Sequence, residues 1–173
     1  MNRKEHATSK LVGKSLQETI DLLTKQIRRF EKQIASLVET DDDWKQKTEI
    51  VQSVPGVGSQ TSACLLADVP ELGQLDRRQI AALVGIAPFN CDSGTFQGQR
   101  CIRGGRISVR CALYMATLTA RRINPVIRAF AHRLAALGKK PKVILTACMR
   151  KLLVILNTMV KNKTLWNPAI STT

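Results

Sequence analysis

Apolar residues recur at helical spacing along most of the chain, and no convincing segment shows the strict alternation of a surface strand. The pattern predicts an all-α fold, namely a small helical domain that is preceded by a coiled-coil helix and interrupted by one long loop. A short hairpin inside residues 86–103 is the only β-structure for which the sequence leaves room.

The longest helical pattern covers residues 15–39. Ser15 and Glu18 have the spacing of a capping box, so the helix is predicted to begin there. Alternating steps of four and three separate its apolar residues, which is the heptad seam of a coiled coil: Leu16, Ile20, Leu23, Ile27, Phe30, Ile34 and Leu37. The seam favours a homo-oligomer assembled through residues 1–40. The alternative is an ordinary amphipathic helix that lies on its own domain.

Three adjacent carboxylates, Asp41–Asp43, follow this helix and mark the start of a second domain over residues 41–173. Such a cluster could suggest a metal site. A run of Asp in a turn more often caps a helix, and capping is the interpretation that we favour here.

A helical pattern over residues 44–53 leads into the sequence PGVG at positions 55–58, and another helical pattern follows. Two helices joined by such a turn resemble a helix-hairpin-helix, in which glycines let backbone N–H groups approach a DNA phosphate. Gly56 and Gly58 are therefore candidate phosphate contacts. The alternative is a purely structural turn, because many helix pairs are joined by Gly-Pro turns.

Two further helices flank the long loop. Asp76 with Gln79 predicts a capped helix that reaches Val84. After the loop, residues 106–122 are helical, and one apolar face of that helix carries Ile107, Cys111, Met115 and Leu118.

The last two helices are marked by their ends. Asn124 followed by Pro125 begins one helix, and Gly138 ends it. Residues 139–142 open the final helix, whose middle is apolar nearly all round. This helix is therefore predicted to be central to the core.

Composition limits the class of protein. The chain has 173 residues, of which 44% are hydrophobic, enough for one domain with a core and an appendage. It has no run of 18 uncharged apolar residues and no apolar N-terminal stretch, so neither a membrane span nor a secretion signal is expected. Five cysteines without a CxxC pair indicate reduced thiols in the cytoplasm rather than a zinc site.

Charge is distributed unevenly. Residues 1–92 hold 12 Lys/Arg and 13 Asp/Glu, whereas residues 93–173 hold 15 Lys/Arg and no acidic residue. A segment of one sign implies a polyanionic partner, and nucleic acid is the leading candidate. A membrane surface is disfavoured, because the chain is only 4% aromatic and an interfacial helix uses bulky aromatics. The same scarcity argues against base stacking and favours contact with a duplex backbone.

The long loop, APFNCDSGTFQGQRCIRGGR at residues 87–106, has the composition of a phosphate site. Its glycines allow close backbone approach, and the guanidinium groups of Arg100, Arg103, Arg106 and nearby Arg110 suit phosphate oxygens. Ser93 offers a hydroxyl, which could act as a hydrogen-bond donor or as a nucleophile. Taken alone, the residues favour a donor, because no histidine base lies near Ser93 in the sequence.

Four segments together resemble a known family. SVPGVGSQTSACLLADV, QIAALVGIAPFNCDSG, GRISVRCALYMATL and FAHRLAALGKKPKVILTACMRKL occur in order. They resemble the C-terminal transposase domain of the bacterial insertion-sequence family numbered one hundred and ten, which includes the Piv and MooV DNA invertases. The resemblance covers about residues 15–165.

The resemblance implies a strand-exchange enzyme in which Ser93, between Asp92 and Gly94, attacks a DNA phosphodiester and forms a phosphoserine link. It also implies subunit assembly through the coiled coil and a structured bridge RNA that selects DNA. The candidate DNA or phosphate contacts are Gly56, Gly58, Arg100, Arg103, Arg106, Ser108, Arg110, Lys139, Lys140, Lys142, Arg150 and Lys151.

The resemblance also implies an N-terminal domain with a ribonuclease-H-like fold and an Asp-Glu-Asp-Asp set that binds divalent metal, Mg²⁺. This chain begins just before the coiled coil, so we expect no metal site in it and no turnover by the chain alone. The alternative function is a non-catalytic module that only grips nucleic-acid phosphates.

Overall fold

The computed structural model describes residues 10–89 and 101–168. These residues form seven helices and no strand, which confirms the predicted all-α class. The helices are α1 (Lys10–Glu39), α2 (Asp42–Gln52), α3 (Ser59–Asp68), α4 (Arg77–Val84), α5 (Ile107–Ile123), α6 (Pro125–Ala136) and α7 (Pro141–Asn162). Within these residues the β-type pairing consists of one isolated antiparallel bridge between Phe89 and Cys101.

The chain divides into two compact units, one that ends at Asp42 and one that begins at Asp43. Helix α1 dominates the first unit and begins at Lys10, so the capping box predicted at Ser15 is wrong. Ser15 lies inside the helix, where its carbonyl accepts a hydrogen bond from the Thr19 hydroxyl at 2.9 Å. Because the preceding residues are already helical, the N–H groups after Ser15 do not need a side-chain cap.

The heptad seam of α1 is exposed from Ile20 to Leu37. Ile27 is 53% exposed and Leu37 is 70% exposed. The helix therefore presents a long apolar stripe to its surroundings, the arrangement that a coiled-coil helix has before it meets its partner.

Helix α7 is central to the second unit and packs against α4, α5 and α6. Leu152, Leu153 and Leu156 on α7 are fully buried, which confirms the predicted position in the core. Among the described residues, α7 is also the one helix long and apolar enough to cross a membrane by length and composition, and 50% of that apolar stretch is buried inside the domain.

The buried face of α5 is not the apolar face that the sequence pattern picks out. Ile107 and Met115 are 65% and 62% exposed, and Cys111 is exposed as well. The buried residues are Val109, Leu113, Ala116, Thr117 and Ala120. Small side chains on this face let α5 pack closely against both α3 and α7.

The predicted helix ends in the second unit are confirmed. Asp76 and Gln79 form a reciprocal capping box at the start of α4. The Asn124 side chain accepts hydrogen bonds from the first turn of α6, which has Pro125 at its start. Gly138 follows α6 with a left-handed φ of 70°, the conformation that favours glycine after a helix.

Candidate nucleic-acid interface

The two ends of the long loop meet at a pair of glycines. Gly85 ends α4 in the left-handed conformation, with φ 79° and ψ 31°. A Cβ atom at Gly105 would lie 2.3 Å from the Gly85 nitrogen, so the two backbones touch and only glycine fits. Further along, the Phe89 N–H donates to the Cys101 carbonyl at 3.0 Å. Phe89 and Cys101 are therefore paired directly, although ten or more residues separate them in the sequence.

Two of the predicted arginines lie where the two ends of the long loop meet, a region that we call the loop base. The Arg110 guanidinium donates through one nitrogen, Nη1, to the carbonyl oxygens of Gly104 and Gly85. Arg106 donates through both of its terminal nitrogens to the two carboxylate oxygens of Glu71, each at 2.7 Å. These bonds lower the pKa of Glu71 from 4.5 to about 2 and raise the pKa of Arg106. Arg106 thus has an internal acidic partner, and Arg110 has internal acceptors.

Ser108 also has an internal partner. Its hydroxyl donates to the Asp68 carboxylate at the end of α3, and the Cys64 thiol donates to the same oxygen at 3.6 Å. Burial, followed by the nearby Asp68 charge, raises the pKa of Cys64. Asp68 therefore joins the end of α3 to the start of α5 beside the loop base.

The predicted catalytic residues Asp92, Ser93 and Gly94, and the predicted phosphate contact Arg100, lie outside the described residues. Arg103 is described and exposed. Its guanidinium lies 5.4 Å from the centre of the Phe89 ring, a cation–π distance that connects the two sides of the loop.

The turn at residues 55–58, which we call the hairpin turn, packs tightly against α5. Gly56 has a φ of 101°, and a Cβ atom there would lie 2.6 Å from the Ala120 Cα atom. The Asn124 amide donates to the Pro55 carbonyl at 3.4 Å. Gly56 is thus required by packing and by backbone conformation, in agreement with the structural interpretation of this turn.

Gly58, in contrast, faces open space. A Cβ atom at Gly58 would meet nothing within 4 Å, and this residue caps α3 without a side-chain hydrogen bond. A cavity of about 500 Å³ opens here, between the first turn of α3 and the Met115–Thr119 part of α5. The first N–H groups of a helix attract anions, so the start of α3 is a candidate position for a phosphate beside this cavity.

The predicted basic contacts on the last helix occupy two places. Lys139, Lys140 and Lys142 are exposed at the start of α7. Arg150 and Lys151 are half-buried near its middle. The sequence predicts both groups but does not distinguish them.

The described residues offer no site for the divalent ion that the resemblance implies. In residues 10–89 and 101–168, no three His, Cys, Asp or Glu side chains converge to hold a metal ion. No chemical step is therefore assigned to an ion held by these side chains.

Comparison with known proteins bears directly on this interface. Residues 48–132, from α2 through most of α6, match the model of the transposase IS116/IS110/IS902 family. This segment is similar to the transposases of that family. The matched segment contains the hairpin turn, both ends of the loop and the residues that join them.

Three curated proteins show the same relationship. The insertion element IS110 uncharacterized 43.6 kDa protein of Streptomyces coelicolor is 27% identical over 92% of this chain and 39% of its own length. The pilin gene-inverting protein of Moraxella bovis is 26% identical over 88% of the chain and 48% of its own length. The insertion element IS900 uncharacterized 42 kDa protein of Mycobacterium paratuberculosis is 32% identical over 72% of the chain and 32% of its own length.

The chain thus spans less than half the length of these three relatives. The matches are to a transposase family, to insertion-element proteins and to a gene-inverting protein. Two residues at the loop base, Glu71 and Asp68, escaped the sequence analysis. They precede their partners by 35 and 40 positions, and no local motif signals such pairs.

Proposed function

We propose that the chain is the strand-exchange part of a DNA transposase or recombinase, with Ser93 as the nucleophile. The observation that carries the proposal is the family match over residues 48–132, which includes the loop that holds Ser93. The basic second half of the chain supports DNA as the partner, because residues 93–173 contain 15 cations and no carboxylate.

In this proposal the Ser93 oxygen forms a bond to a DNA phosphorus, and the phosphorus–oxygen bond to one deoxyribose breaks. The hydroxyl proton of Ser93 leaves, and the released deoxyribose oxygen takes up a proton. The product is a phosphoserine ester that conserves the energy of the phosphodiester for rejoining to another strand. Asp92 and Gly94 flank the nucleophile in the sequence.

The loop base is the frame for this chemistry. Gly85, Gly105 and Arg110 hold the loop ends together, and a reacting group must be held close to its productive position to act efficiently. Among the described loop arginines, Arg103 is then the one left to face a phosphate, and we propose the same role for Arg100. Lys139, Lys140 and Lys142 bind the DNA backbone further away.

The proposal extends to partners. A separate domain would hold Mg²⁺, which would supply electrostatic activation of the reacting oxygens. The exposed seam of α1 assembles copies of the chain. A bridge RNA selects the DNA, and the protein acts in the cytoplasm. These statements follow from the resemblance and the charge distribution.

One observation favours the alternative of a binding module without chemistry. Arg106, Arg110 and Ser108 already have partners inside the protein, which leaves fewer groups near the loop to stabilise a reacting phosphate. In this alternative the loop and the hairpin turn only grip the backbone.

Covalent capture separates the two functions. The chain is combined with a family metal-binding domain, Mg²⁺ and a nicked suicide duplex, and protein–DNA adducts are separated under denaturing conditions. We expect an adduct whose phosphate maps to Ser93, and loss of this adduct in Ser93→Ala with nearly unchanged DNA affinity. The matched control is Ser15→Ala, which removes an exposed hydroxyl from α1 and should leave the adduct intact.

An adduct that persists in Ser93→Ala contradicts the proposed nucleophile. Tight DNA binding by the unmodified chain without any adduct favours the binding module instead.

A further inference from the structure

Two cations lie against one aromatic ring where α6 meets α7. The Arg133 guanidinium lies 5.2 Å from the centre of the Phe130 ring, and the Lys151 ammonium lies 5.0 Å from the same centre. Both distances are within the range of cation–π attraction. Arg133 is exposed, whereas Phe130 and Lys151 are half-buried, so the ring holds two flexible basic side chains at the surface.

A third cation, Arg121 on α5, acts electrostatically on the same helix, α7. Burial raises the pKa of the Cys148 thiol on α7, and the positive charges of Arg121 and Lys151 act on that thiol in the opposite direction. Both side chains are therefore near Cys148, which is fully buried. Three neighbouring helices thus each contribute one cation, and we call Arg121, Arg133 and Lys151 the three-helix cluster.

Among the described residues, the cluster has no acidic ion-pair partner. Within the described residues, no carboxylate forms an ion pair with any of its three members, and the sequence has no Asp or Glu after Asp92. Like charges held close together repel, so such an arrangement is stabilised by binding an anion. The ring contact keeps Arg133 and Lys151 in place without neutralising them.

The cluster is distinct from the lysines that open α7. Lys142 and Lys151 are nine residues apart, which is about two and a half helical turns, so they project from opposite sides of the helix. A straight duplex that contacts Lys139, Lys140 and Lys142 lies on one side of α7. It therefore does not contact Lys151, which projects from the opposite side.

We propose that the three-helix cluster is a second nucleic-acid surface, which binds the phosphodiester backbone of a double-stranded segment. The choice of polyanion rests on the proposed function, but the surface itself does not depend on Ser93. Phe130 holds Arg133 and Lys151 and is not a platform for bases, because its ring is already in contact with these two side chains. A backbone contact of this kind suits a DNA duplex and a paired RNA stem equally.

The test measures binding of the full chain to a labelled DNA duplex and to an RNA hairpin with a stem of equal length, across a range of salt. Arg133→Gln with Lys151→Gln should lower the salt slope for DNA by about 1.8, since each phosphate contact contributes about 0.9. Phe130→Leu keeps every charge and should weaken binding about two- to fivefold, because the cations lose their ring. Thermal unfolding of each variant checks the fold, and the charge variants decide the result if Phe130→Leu does not fold.

Lys161→Gln is the matched control, because it removes one exposed charge from the same helix outside the cluster. Loss of affinity for only one of the two nucleic acids identifies that one as the occupant, and loss for both supports the shared backbone chemistry. If Lys151→Gln changes affinity no more than Lys161→Gln for either probe, the inference is overturned. If covalent capture finds no adduct at Ser93 but the cluster variants still weaken binding, only the proposed chemistry is overturned.

Discussion

The guanidinium of Arg106 and the carboxylate of Glu71 form two parallel hydrogen bonds, each 2.7 Å long, between the segment after α3 and the start of α5. Such a bidentate pair is geometrically specific and stronger than a single contact. Because Arg106 is the last residue of the long loop and precedes α5 directly, the pair fixes the point at which the loop joins α5.

The pair makes stability depend on pH. The folded protein holds the pKa of Glu71 at about 2, below its ordinary value of 4.5. The contribution of the carboxylate is therefore complete above about pH 4.5 and is lost as the pH falls through about 2. We expect Glu71→Gln to be less stable than the unmodified chain at pH 7 in urea unfolding, and the difference to shrink at pH 3. Glu49→Gln, an exposed carboxylate on α2, should show no such difference.

Swapping the charges of Glu71 and Arg106 tests the role of Arg106. Glu71→Arg and Arg106→Glu should each destabilise the domain, because each leaves two like charges side by side. The double variant should recover much of the lost stability, and its DNA affinity should stay near that of the unmodified chain if Arg106 acts within the loop base. A double variant that is stable but binds DNA poorly would assign Arg106 to the phosphate instead.

Two glycines of the hairpin turn allow its role in packing and its role in DNA binding to be tested separately. Gly56→Ala should lose about 1–3 kcal/mol from its left-handed backbone and about 1–3 kcal/mol more from overlap with Ala120. Gly58→Ala has open space and should cost about 1 kcal/mol or less. If a phosphate binds in the cavity at the start of α3, Gly58→Ala should still reduce DNA affinity several-fold. Equal affinity in a folded Gly58→Ala protein would make the turn purely structural.

The lysines that open α7 set the salt dependence of DNA binding. Replacement of Lys139, Lys140 and Lys142 by Gln should lower the slope of log affinity against log salt by about 2.7 if each lysine neutralises one phosphate. The loss should be similar for unrelated DNA sequences, because backbone contacts carry no sequence information. Replacement of Lys14, Lys25 and Lys32 on α1 removes the same charge and serves as the control. Equal slopes in both triple variants would contradict this assignment.

The seam of α1 predicts self-association. Ile27→Lys places a charge in the seam and should convert oligomers to monomers in analytical ultracentrifugation. Ala35→Lys adds the same charge to an exposed position of α1 beside the seam and should leave the oligomer intact. A monomer before any substitution would refute the coiled-coil prediction.

The sequence by itself determined the helical class, because local rules suffice for it. The capping box at Asp76, the proline after Asn124 and the glycine at 138 act within a few residues of the ends that they define. Apolar content all round its middle was enough to put α7 in the core. The start of α1 was misplaced for the same reason, since a Ser–Glu spacing at Ser15 is a local signal that a continuing helix overrides.

Only the tertiary structure decided which groups are spent inside the protein and which remain for a ligand. Arg106, Ser108 and Arg110 carry the same phosphate-binding chemistry as Arg103, but their partners come from α3, from the segment after it and from the loop ends. On α5, apolar residues fall on more than one face, and packing against α3 and α7 selects the face with small side chains. Both outcomes depend on contacts between residues far apart in sequence, and neither periodicity nor composition encodes which distant partner meets which side chain.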